Sequence, residues 1–278
     1  MDSYKTISRD LSRRLTKFYS TSFSMASRLF ADSIRSDIYA IYALVRIADE
    51  IVDNYDGPHQ KLLLSNLEHE VYQAMDIGYS ANTVVHAFAD VAIRFTINKE
   101  LIHPFFESMT MDIEPAISLS QNRYLKYIYG SAEVVGLMCL KVFCEADQHK
   151  YEQLAPSASH LGAAYQKVNF LRDLADDYKL LGRYYFPIAS FETFSEETKT
   201  EIITDIANDF SLALPGIRAL PATARPAVYA SYRYFTALLK KLDRTPVTRL
   251  KDSRVRIPNA IKLSLLAQSL IRSRLGWL

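Results

Sequence analysis

Apolar residues recur at three- and four-residue spacing along almost the whole chain, over 4–19, 33–55, 58–77, 81–97, 100–114, 121–145, 148–181, 196–213, 223–243 and 259–274. That spacing puts them on one face of a helix, and convincing strand alternation appears nowhere. Eight glycines and ten prolines in 278 residues leave few of the residues that tight strand-connecting turns require. The breaks at Gly57-Pro58, Gly78 to Asn82, Pro115, Pro156, Gly182, Pro215-Gly216 and Thr245-Pro246 are all too short for an interdomain linker. No internal repeat of fixed period is present. The expected architecture is all-α, a single domain over residues 1–278 built from about ten helices.

Charge and composition exclude several functions. Thirty-three basic against thirty-one acidic residues is no basis for a dedicated nucleic-acid binder. No apolar run approaches the roughly 18 residues of a spanning helix, and the charged N-terminus does not read as a signal peptide, so the expected location is cytoplasmic. Cys139 and Cys144, five apart, point in different directions and are expected to stay reduced. Phosphate-loop, dinucleotide, nucleophile-elbow and zinc-protease motifs are absent from the sequence, and its six histidines are scattered.

Two helices carry polar stripes that need an explanation. In Ile38 to Asp53, apolar residues occupy nearly every direction except the line Tyr42, Arg46, Asp49, Asp53. Steps of four, three and four place these on one face. In Tyr165 to Asp177, the line Gln166, Asn169, Asp173, Asp177 repeats the pattern. A single Asp-x-x-x-Asp is commonplace on a solvated helix face. Here one stripe lies in the most apolar helix of the chain, where burying two carboxylates costs several kcal/mol without compensating cations. Carboxylate and amide oxygens without a His or Cys cluster select Mg²⁺, with Mn²⁺ as the alternative, and Mg²⁺ typically bridges a few carboxylates to a substrate phosphate. The stripes therefore predict a metal site for a phosphate ester or diphosphate, with Asp49, Asp53, Asn169, Asp173 and Asp177 as ligands.

These residues resemble the squalene and phytoene synthases, and the likeness runs from about Phe18 to Ile257. It rests on Tyr19-Ser20-Thr21-Ser22-Phe23, Arg46-x-x-Asp49-x-x-x-Asp53, Tyr127 to Gly136, and Gln166-x-x-Asn169-x-x-x-Asp173-x-x-x-Asp177. The resemblance implies a helical bundle around a central cavity and a head-to-head condensation of two isoprenoid diphosphates through a cyclopropylcarbinyl diphosphate. It implies metal and diphosphate binding by the five ligands. Substrate contacts are implied for Tyr19, Ser20, Thr21, Ser22, Phe23, Tyr42, Arg46, Tyr129, Gln166 and Arg254, and for a tyrosine about twenty residues before Arg254. Tyr232 and Tyr234 both fit that last position, and Tyr234 is the choice.

Thr21 stands where the family often has lysine, and Glu133 where it has glycine. Glu133 is expected either to steer a cation in the chamber or to face outward. Tyr127 and Tyr129 also suit plain core packing. Phe23, Tyr42 and Tyr129 offer ring faces to a carbocation, an interaction worth about 2 kcal/mol when desolvated.

Overall likeness favours a phytoene synthase acting on geranylgeranyl diphosphate without NADPH, whose product passes to a downstream desaturase. The alternatives are a squalene- or dehydrosqualene-type synthase using farnesyl diphosphate, a terpene cyclase, and a non-catalytic helical partner of such an enzyme. The C-terminal run Ala260 to Leu278, amphipathic with Lys262, Arg272 and Arg274, fits either a membrane surface receiving an oily product or a helix docked on the domain.

Overall fold

Helix follows helix wherever the apolar spacing predicts one. The computed structural model describes residues 3–113 and 119–258, together with Lys262, Ser264, Leu265, Gln268 and Ser269; the side chains of Thr21 and Ser22 lie outside that set. The helices are α1 (Ser3–Tyr19), α2 (Thr21–Ser27), α3 (Asp32–Asp53), α4 (Gln60–Ile77), α5 (Thr83–Phe95), α6 (Lys99–Ile113), α7 (Gln121–Ile128), α8 (Val134–Phe143), α9 (Gln148–Leu181), α10 (Glu196–Ala219), α11 (Arg225–Asp243) and α12 (Val247–Leu250). No strand occurs among the described residues. Side-chain caps fix several starts: Asn82 accepts from Val84 and Val85, Asp147 from Lys150, and Ser195 from Thr198.

Two apolar cores organise the bundle. The first gathers Ile38, Ile41 and Leu44 of α3 with Val71 of α4, Phe88 of α5, Phe105 and Phe106 of α6 and Met138 of α8. The second gathers Tyr124 and Tyr127 of α7 with Phe170 and Leu171 of α9, Phe186, Phe210 of α10 and Leu238 of α11. Helix α9 packs most extensively on α10.

Several expectations need correction. Pro156 and Pro215 do not end helices; they lie inside α9 and α10. Tertiary packing overrides the local cost of a missing N–H there. Ser157 donates to the Leu212 carbonyl at 3.0 Å, and Ala213 and Ile217 are buried on either side of Pro215. The segment 121–145 is not one helix but α7 and α8 joined by a π-helical turn, Tyr129–Glu133. Helices α2 and α12 are too short for periodicity to announce them. Cys139 and Cys144 are unpaired, as the spacing requires. The break at Pro115 and nearly all of Ala260 to Leu278 fall outside the described residues.

Candidate functional site

Each predicted stripe lies on one long helix, and the cross-links between them define the site. Tyr42, Arg46, Asp49 and Asp53 descend the last turns of α3, and Gln166, Asn169, Asp173 and Asp177 run along α9. Helix α9 ends at Gly182, whose φ of +65° is a left-handed conformation that side chains other than glycine adopt at a cost. Gly182 and Arg183 both donate their backbone N–H to the Asp177 carbonyl. The chain thereby turns back, and Arg183 Nη1 reaches Asp53 Oδ1 at 2.8 Å. The end of α9 is thereby tied to the end of the α3 stripe.

The carboxylates are half-buried rather than dry. Asp49 keeps 32% of its side-chain surface, Asp53 40% and Asp173 18%, so the line reaches solvent instead of lying inside packed core. Burial and the negative charge of Asp53 push the Asp49 carboxyl up to about 7. Burial and the charge of Asp173 push Asp177 up to about 7 as well. Asp173 is instead well supplied with cations: Arg172 Nε donates to it at 2.8 Å, and Arg254 forms an ion pair with it, Nε 2.7 Å from Oδ1.

These residues suit a divalent cation on one particular ground. Asn169 Oδ1 is buried without a hydrogen-bond partner, a state that costs on the order of 1–3 kcal/mol unless a ligand completes it. Among the described residues no three acidic, His or Cys side chains converge into a ready-made cage.

The other predicted residues gather around the α3 stripe or the far end of α9. The Tyr19 ring lies under the Arg46 guanidinium, 4.2 Å to the centroid, and Arg46 also pairs with Glu50. Ser20 caps α2 by accepting from the Phe23 N–H at 3.2 Å, and the Tyr42 hydroxyl bonds to Ser20. Phe23 stacks on Tyr42 at 4.8 Å with planes 13° apart, which presents one aromatic wall beside Arg46. Thr21 and Ser22 follow in the first turn of α2. Tyr129 opens the π-helical turn and keeps 39% of its surface, which sets it apart from Tyr127, buried at 4%. Tyr234 lies within electrostatic reach of Arg172, the partner of Asp173, whereas Tyr232 packs edge-on against Phe210. Gln166 begins the α9 stripe, three residues before Asn169.

Glu133 closes the π-helical turn that Tyr129 opens. It bonds to Ser159 and stands near His160, Lys167 and Asp209, on the side of α9 that faces α10. There Lys167 Nζ bridges Asp205 at 2.5 Å and Asp209 at 2.8 Å, and His160 meets Asp209 at 2.9 Å. The π-helical turn reaches this position because α9 comes very close. A Cβ on Gly162 would stand 2.7 Å from the Ala132 carbonyl oxygen, so only glycine permits the approach.

Sequence reasoning missed Asp112, Arg172, Arg183 and Tyr185. Asp112 is the acid of an otherwise apolar turn of α6, and its oxygens accept from the Tyr127 hydroxyl at 2.5 Å and the Tyr185 hydroxyl at 3.0 Å. Burial pushes Asp112 up to about 6, against the pull of Arg183 and the two hydroxyls. A carboxylate between Met111 and Ile113 was the available signal.

Comparison with known proteins gives the same picture. The family model for squalene/phytoene synthase matches residues 16–260. The phytoene synthase of Arthrospira platensis is 27% identical over 98% of this chain and 94% of its own length. The 4,4'-diapophytoene synthase of Staphylococcus haemolyticus is 29% identical over 70% of this chain and 68% of its own. A dehydrosqualene synthase crystal structure superposes with a TM-score of 0.81 at 19% identity, covering 97% of this chain and 98% of the other. A squalene synthase from Alicyclobacillus acidocaldarius gives 0.76 at 17% identity over 92% and 98%. With a helical bundle, paired acidic helices and a family match over most of its length, the chain belongs to the squalene/phytoene synthase family, prenyltransferase-type enzymes that condense isoprenoid diphosphates head to head and use divalent metal to bind the diphosphate.

Proposed function

We propose that the protein is a phytoene synthase, which joins two geranylgeranyl diphosphates through a cyclopropylcarbinyl diphosphate and releases phytoene, with Mg²⁺ and without NADPH. The observation that carries diphosphate binding is the partnerless buried Asn169 Oδ1 on a stripe shared with two acids, one of them, Asp177, held near neutral pKa. The twenty-carbon substrate is supported by the full-length likeness to a phytoene synthase.

When bound, a divalent cation supplies the Lewis acid that turns diphosphate into a leaving group. Asp49, Asp53, Asn169, Asp173 and Asp177 would hold it. Arg172 and Arg254, converging on Asp173, are placed to take phosphate oxygens as charge separates. The stacked Phe23 and Tyr42 rings offer a face to the allylic cation, where a charged group would quench it. The product is an oil, so its natural acceptor is a membrane surface or a desaturase drawing from one.

The second reading is a thirty-carbon synthase using farnesyl diphosphate, favoured by the likeness to a diapophytoene synthase. One competition assay separates them. Purified protein receives Mg²⁺ and equal farnesyl and geranylgeranyl diphosphate, with and without NADPH, and the extracted hydrocarbon is weighed by mass spectrometry. A C40 hydrocarbon made equally well without NADPH is expected. A C30 product would transfer the assignment to the second reading, and no metal-dependent hydrocarbon would contradict both.

A further inference from the structure

Arg183 sits in the seam between the stripes with a carboxylate on either side. Its Nη1 pairs with Asp53 at 2.8 Å, and its side chain is only 14% exposed. Across a small pocket that both residues line with Tyr127 and Tyr185 stands Asp112. Asp112 is not free to ligate: one oxygen accepts from Tyr127 and the other from Tyr185, two residues beyond Arg183. The same carboxylate therefore anchors the segment that carries Arg183 and sets a second negative charge near its guanidinium.

We propose that Arg183 is a resident counter-ion of the α3 stripe, held on Asp53 by the positioning residue Asp112 and transferred to a diphosphate oxygen when the metal–diphosphate complex arrives. The inference rests on the reading of the stripes as a metal–diphosphate site. A guanidinium in hydrogen-bonding contact with Asp53 repels a dication at the same carboxylate, so one exchanges for the other. Diphosphate offers the displaced guanidinium planar, bidentate acceptors in return. Metal alone thus binds against Arg183, whereas metal with diphosphate binds with its help, a coupling that disfavours an empty, water-filled metal site.

Binding of Mn²⁺ alone, followed by the electron-spin resonance of the free ion, tests this without turnover. Arg183→Gln is expected to bind Mn²⁺ about 5- to 10-fold more tightly than wild type, and Arg183→Lys, which keeps the charge, to stay within about 2-fold. Asp112→Asn removes a negative charge in either background, and is expected to weaken Mn²⁺ binding less in wild type, where it also loosens Arg183 from Asp53, than in the Arg183→Gln background. A merely structural role would lower affinity in every variant. An unchanged or weaker affinity in Arg183→Gln overturns the counter-ion. An equal effect of Asp112→Asn in both backgrounds overturns its positioning role. Asp49→Asn separates the two levels: if it abolishes Mn²⁺ binding while Arg183→Gln leaves it unchanged, the metal reading stands and the counter-ion falls. If wild type binds no Mn²⁺ with or without inorganic pyrophosphate, the metal reading itself falls.

Discussion

Arg254 Nε pairs with Asp173 Oδ1 at 2.7 Å, joining the loop after α12 to the middle of the α9 stripe. The same carboxylate takes Arg172 Nε at 2.8 Å, so two guanidiniums stand at one predicted metal ligand. Such a pairing stores cationic charge beside a site that a highly charged anion must enter. Arg254→Gln is expected to raise KM for the diphosphate substrate about 10-fold and to weaken inhibition by pyrophosphate in parallel. Arg254→Lys recovers only part, because an ammonium lacks the planar fork. Steady-state kinetics with pyrophosphate as inhibitor check this, and an unchanged inhibition constant in Arg254→Gln would remove Arg254 from the site.

The unmet charge of the stripes has a cost in the metal-free protein. Asp49 titrates near 4 in an unfolded chain and at about 7 in the fold, so the folded state holds an extra proton between those values. Stability from this group is complete below about pH 4 and is lost as pH rises through about 7. Metal-free protein is therefore expected to melt at lower temperature at pH 8 than at pH 5.5. Asp49→Asn removes that loss and, after allowance for partial exposure, stabilises the metal-free protein at pH 8 by about 1 kcal/mol. Thermal melts of both proteins at the two pH values, with chelator present, measure the difference.

Gly162 sets how closely α9 approaches the π-helical turn that carries Tyr129. Because the atoms a Cβ would meet are the Ala132 carbonyl and the Glu133 Cα, the neighbours cannot swing aside. Gly162→Ala is expected to destabilise the protein by about 1–3 kcal/mol and to lower kcat through displacement of Tyr129. Denaturant melts and kinetics report the two effects; wild-type values for both would mean the approach is slack.

Lys167 is the buried cation of the network on the far side of α9. Its partner Asp209 is 8% exposed, so Lys167→Met leaves that carboxylate with His160 alone and is expected to cost about 3 kcal/mol. Asp209→Asn, with His160 and Lys167 left to share, costs less. Urea denaturation of the two variants ranks them, and equal losses would argue against a charge-driven network.

Most of the helices were legible because a period of three to four is written by burial itself, which tertiary packing reinforces. The stripes were legible for the complementary reason: polar residues kept in register inside an apolar helix have few uses. Pro156 and Pro215 misled because proline's local cost is real but smaller than the packing of α9 on α10. The π-helical turn has no periodic signal, only a close approach between helices distant in sequence. Arg183 and Asp112 were invisible as a pair because they come near one another only after α6 and the end of α9 come together. The separation of 130 residues between Asp53 and Arg183 leaves no local spacing to read.

The most direct test of the stripes is release of pyrophosphate from geranylgeranyl diphosphate by Asp49→Asn and Asp173→Asn, measured beside wild type at saturating Mg²⁺. Both variants are expected to lose at least about 10³-fold in rate, as removal of a group acting on the leaving charge does, while their helical circular dichroism matches wild type. Turnover within a few-fold of wild type in either variant would contradict a metal–diphosphate site built by α3 and α9.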